Sequence, residues 1–143
     1  MTLSIYDSPV ATANFSTGGT FNNPMRHAVD GRVGGVIERL YYVRNDNSNR
    51  SYTDITLKAV SSVAKDIVSG ADGYSIKLSK GSTQPTDQEW DTVDGGNTIT
   101  WTSITEDTLL YNPFWLRIEV PKGAPVDTVI SSFFRISGTE SVV

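Results

Sequence analysis

Between about Gly34 and Ile136, apolar residues fall into short alternating runs, each cut off by turn-forming residues. Residues 36–43 alternate, with Val36, Leu40 and Tyr42 on one face and Arg39 on the other; Glu38 interrupts the first face near the strand's start. Asn45-Asp46-Asn47-Ser48-Asn49 is turn chemistry, because Asn and Asp tolerate left-handed backbone and bond their own main chain. Residues 52–60 return with Ile55, Leu57 and Ala59 inward and Thr56 and Lys58 outward, so the two runs read as a hairpin. Residues 63–68 fit either a short strand or a loop, and residues 74–79 alternate as a strand.

Thr86 stands three residues before Glu89, the spacing of a capping box, which predicts one helical turn at most with Trp90 as an apolar plug. Asp94-Gly95-Gly96-Asn97 signals a turn before Ile99 and Trp101 alternate with threonines. Phe114, Leu116, Ile118 and Val120 form the clearest inward face, and Pro121 ends that strand because it cannot donate to a ladder. Residues 129–136 make a last strand, with a short tail from Gly138 onward.

Roughly seven strands, frequent turns and almost no helix define an all-β chain: a two-sheet antiparallel β-sandwich of immunoglobulin-like or jelly-roll type. Residues 1–33 differ, being small, polar and glycine-bearing apart from a candidate strand, Leu3-Ser4-Ile5-Tyr6. They read as an extended N-terminal arm on a sandwich spanning residues 34–143. Such a leader either wraps back on its own domain or reaches to a neighbouring subunit, and Phe15, Phe21 and Met25 are its candidates for interchain contact.

A length of 143 residues suits one domain and suffices for a two-layer core. The net charge of −4, with basic residues dispersed, argues against nucleic acid as the main partner. There is no cysteine, hence no disulfide framework, thiolate nucleophile or Cys-type zinc site. No secretory signal is visible at the start, and no apolar run approaches the ~20 residues that span a bilayer. The expectation is a protein made in a cytoplasm, without a membrane partner.

Each candidate for chemistry has a plainer reading. His27 with Asp30 nearby has the residue types of a base and its orienter, but lies in the leader, where nothing visible holds geometry. The oxygen-rich stretch from Asp46 fails as an EF-hand loop, because position 6 is Ser51 and position 12 is Leu57. Asp87, Glu89, Asp91 and Asp94 surround Trp90, but a glycosidase needs two carboxyls ~5–10 Å apart across a groove, and a solvated acidic loop with a core tryptophan explains them more simply. Sugar binding by stacking on Trp90 or Trp115 stays open. Tyr41, Tyr42 and Trp115 suit strand packing better than base stacking, since no positive groove accompanies them. No catalytic residue, cofactor or metal site is assigned.

The run Tyr41-Tyr42-Val43-Arg44-Asn45-Asp46 leading into Tyr52-Thr53-Asp54-Ile55-Thr56-Leu57 resembles immunoglobulin-like modules of tailed-bacteriophage virion proteins. So does Phe114-Trp115-Leu116-Arg117-Ile118-Glu119-Val120-Pro121-Lys122-Gly123-Ala124-Pro125 before a final strand. The resemblance implies a non-enzymatic structural role in a virion. The favoured expectation is a capsid decoration (cement) protein bound between capsid subunits, with the major capsid protein or other virion proteins as partners. It would act as a homo-oligomer, for which a trimer is attractive. The alternatives are a tail, baseplate or host-attachment component, and a carbohydrate-binding module.

Overall fold

The structure is a computed structural model and describes residues 3–7, 14–15, 25–28, 33–61, 75–91, 98–105, 112–120 and 129–143. Its strands are β1 (Leu3–Tyr6), β2 (Asn14–Phe15), β3 (Met25–Ala28), β4 (Gly35–Asn45), β5 (Arg50–Ser61), β6 (Ser75–Lys80), β7 (Thr98–Ile104), β8 (Asn112–Val120) and β9 (Val129–Val142), with one short helix, α1 (Asp87–Asp91). They form two sheets, one of order β2-β1-β4-β8-β6 (sheet A) and one of order β3-β9-β5-β7 (sheet B). Every pairing is antiparallel. The chain is therefore an all-β, two-sheet antiparallel sandwich.

The inner faces supply one core. Leu3, Ile5, Tyr41, Val43, Ile76, Leu78, Phe114, Leu116, Ile118 and Val120 come from sheet A, and Tyr52, Ile55, Leu57, Ala59, Ile104, Phe134 and Ile136 from sheet B. Aromatic rings bridge the layers: Phe114 and Phe134 meet edge to face at 5.4 Å, and Tyr41 stands 5.8 Å and 5.4 Å from them. Edge-to-face and offset contacts of this kind suit the ring quadrupoles.

From β4 onward, successive strands alternate between the sheets, so β4 and β5 are not the hairpin expected from their sequence. Residues 46–49 instead form an arch from one layer to the other. The buried Asn45 side-chain amide explains how: its Nδ2 donates to Arg50 O at 2.7 Å and to Thr105 O at 3.1 Å. The same Asn and Asp chemistry serves hairpin and arch alike, so composition does not separate them.

Other expectations shift in register. Leu40 and Tyr42 do share a face, but the buried face of β4 is the other one, carrying Tyr41 and Val43. Apolar residues occupy both faces there, which erases the period-2 signal. β9 runs through Gly138 to Val142 rather than ending in a tail.

Three strands from residues 1–33, β1, β2 and β3, lie in the two sheets. β1 pairs with β4, burying Leu3 and Ile5; β2 extends beyond β1, and β3 pairs with β9. These stretches pair with strands of their own chain. Residues 63–68 lie outside the described residues.

Candidate functional site

On β8, Leu116 and Ile118 point inward, so Arg117 projects from the outer face of sheet A. In register beside it stand Glu38 of β4 and Lys77 of β6. Residues 81–91 fold over this row. Gly81, at φ 109°, makes the sharp exit from β6 that a Cβ would strain, and its N–H donates to Pro113 O at 2.9 Å. The capping box then starts α1: Glu89 N–H donates to Thr86 Oγ1 at 3.3 Å, and Thr86 N–H to Glu89 Oε1 at 3.3 Å.

Arg117 ties this segment down. Its Nη1 donates to Asp87 Oδ1 at 2.8 Å and to Glu38 Oε1 at 3.1 Å, with Glu119 3.8 Å from its Nε. Gln84 Nε2 donates to the other Glu38 oxygen at 2.6 Å, Lys77 Nζ to Trp90 O at 3.0 Å, and Trp115 Nε1 to Ser82 O at 3.0 Å. Burial opposes the charge on Arg117, but hydrogen bonds to Asp87 and Glu38 and the charge of Glu119 outweigh it and hold the guanidinium above its ordinary pKa. Under this strap Trp90 is buried apart from the main core, and its indole N–H has no hydrogen-bond partner among the described residues.

The arrangement is a clamp rather than a proton-transfer pair. Asp87 is engaged with Arg117, Glu89 closes the cap, and Trp90 is covered. Asp91 is exposed on α1, and Asp94 lies outside the described residues. Trp90 therefore offers no ring for sugar stacking, whereas Trp115 is half-buried. Tyr41 belongs to the core and Tyr42 to the outer face. Burial pushes the Tyr41 hydroxyl up to about 12.

The Asn-rich arch is closed on itself. Asn47 N–H donates to Asn45 Oδ1 at 3.0 Å and Asn49 N–H to Asn47 Oδ1 at 2.9 Å. Asp46 faces Arg44 Nε at 3.3 Å and accepts from Tyr6 OH at 2.8 Å. Burial first, then the Asp46 hydrogen bond, raises the Tyr6 pKa. Among the described residues no group of three or more His, Asp or Glu side chains is placed to hold a metal ion.

The backbone of Phe15 is registered to Ile5, that of Met25 to Ser132 and that of His27 to Ile130. Phe21 and Asp30 lie outside the described residues. Sequence reasoning missed Arg117 and Glu38. The signal was present, since Arg117 and Glu119 interleave with the inward Leu116, Ile118 and Val120, but the partners come from β4 and α1, far away in sequence.

No family model matches the chain, and no curated protein or solved structure matches it.

Proposed function

We propose that the protein is a non-enzymatic structural component of a bacteriophage virion, and specifically a capsid decoration protein that binds between capsid subunits. The observation that carries this reading is how the polar groups are used. Glu38, Asp87 and Glu119 surround Arg117, Glu89 caps α1, and Asp46 is held by Arg44 and Tyr6. Side chains spent on fixing a surface suit a part that presents a shaped face to other proteins. Such a part acts by linkage: binding the assembled lattice and not its free subunits stabilises the lattice by mass action, and repeated copies add avidity.

The test is reconstitution. Purified protein is added to particles that lack it, and occupancy and the melting temperature of the heads are followed together. The expected result is saturable binding with a rise in melting temperature. Particles that bind none of it contradict the reading.

The second reading, a tail or host-attachment component, is favoured by half-buried Trp115 on the outer face of sheet A, an aromatic open to a receptor or glycan. Binding of the isolated protein to host envelopes, with loss on Trp115→Ala, distinguishes it.

A further inference from the structure

The outer face of sheet B carries a cross-strand pair that a sheet would ordinarily avoid. Lys58 of β5 is registered directly opposite Arg135 of β9, and both are exposed. The alternate positions Leu57, Ala59, Phe134 and Ile136 are buried, so both cations leave the sandwich on the same side. Like charges directly opposite one another on a sheet are destabilising. Neither cation has an ion-pair partner among the described residues, whereas Arg117 on the other face is ringed by carboxylates. On one side of the pair the next row in register is Thr100-Thr56-Ser137, which is hydroxyl-bearing, and on the other Val60 is registered to Phe133. Asp54, the nearest carboxylate of β5, stands four residues back.

The opposite side of the sandwich has the complementary character. There Glu38, Asp87, Glu89, Asp91 and Glu119 outnumber Lys77, Arg117 and Arg44, and Arg44 is already paired with Asp46. The Asp87 side chain remains 91% exposed while bonded to Arg117, and Asp91 is exposed at the end of α1.

We propose that the Lys58/Arg135 face docks the acidic α1 face of a second copy of this chain, head to tail. The faces lie on opposite sides of one sandwich, so the contact is heterologous: each copy keeps one free face of each sign, and repetition gives a closed ring or an open stack. Charge complementarity selects the second copy as occupant. It brings carboxylates to two unneutralised cations and offsets the cost of placing them side by side. The inference stands apart from the virion reading and is tested by self-association alone.

The experiment is analytical ultracentrifugation of the full chain at low ionic strength and at about 1 M salt, where the Debye length falls to about 3 Å. Wild type is expected to form assemblies larger than dimers that dissociate at high salt. Lys58→Gln/Arg135→Gln and, separately, Gln88→Lys/Asp91→Lys are each expected to weaken association about tenfold or more while keeping the wild-type circular-dichroism spectrum. Mixing the two variants restores one good contact per pair, so complexes stop at two chains. A wild type that grows past two chains beside a mixture that stops at two is a contrast an isologous dimer cannot give. A wild type that stays monomeric at low salt overturns the proposal, as do assemblies indifferent to both variants. Retention of a monomeric chain on a sulfated polysaccharide column through Lys58 and Arg135 also overturns it, and assigns the face to a polyanion.

Discussion

Asp54 holds a left-handed backbone, at φ 52°, in the β5–β9 bulge opposite Gly138, where a Cβ would stand 3.2 Å from both Ile55 Cγ1 and Thr53 O. The bulge inserts one residue into β5, and this lets both Tyr52 and Ile55 face the core although they are three positions apart. Gly138→Ala must push against a backbone carbonyl and is expected to lose about 1–2 kcal/mol in urea denaturation. Asp54→Gly, which removes a side chain from a left-handed position, is expected to hold stability or raise it by a few tenths of a kcal/mol. A neutral Gly138→Ala would show that the bulge relaxes freely.

Arg117 and its carboxylates make unequal contributions. The Arg117 side chain is 10% exposed and that of Glu38 18%, so Arg117→Met strands Glu38 near the sheet and is expected to cost about 2–3 kcal/mol. Asp87 is exposed, and Asp87→Asn is expected to cost less than about 1 kcal/mol. Thermal melts of both variants, with tryptophan fluorescence to follow Trp90, check the order. Equal losses would mean that the strap and not the desolvated pair carries the energy.

Leu3 and Ile5 sit in the core at 2% and 0% exposure. An arm on a sandwich of residues 34–143 would be dispensable for folding, but burying each such side chain contributes about 1.5–3 kcal/mol. Removing that stretch is therefore expected to unfold or severely destabilise the protein. Ile5→Ala alone should cost about 2–4 kcal/mol. A truncated chain with a wild-type melting temperature would contradict this.

Alkali has a defined effect through Tyr41. Its hydroxyl is raised by burial to about 12 from an unfolded value of 10.0. Below the unfolded value both states keep the proton and stability is unaffected. Between the two values only the unfolded state releases it, so stability falls as pH rises, by on the order of 2–3 kcal/mol across the window. Urea midpoints measured from pH 9 to pH 12 should decline, and Tyr41→Phe should flatten the decline.

Local chemistry was legible in the sequence and long-range chemistry was not. The Thr86–Glu89 spacing locates α1, and the alternation of Phe114, Leu116, Ile118 and Val120 identifies a core strand, because both signals lie within a few residues. The arch at residues 46–49 has the sequence of a hairpin because its sheet change depends on Asn45 reaching Thr105, sixty positions away. Gly138 looked like a strand end because its purpose is room for Ile55 and Thr53, which only the β5–β9 register reveals. The Arg117 clamp stayed hidden for the same reason, since its carboxylates come from three separate elements.

The most direct test of the virion assignment is immunogold labelling of purified source particles with antibody to this chain, read by electron microscopy. Label distributed over the heads is the expected result. Particles carrying no label at all would contradict it.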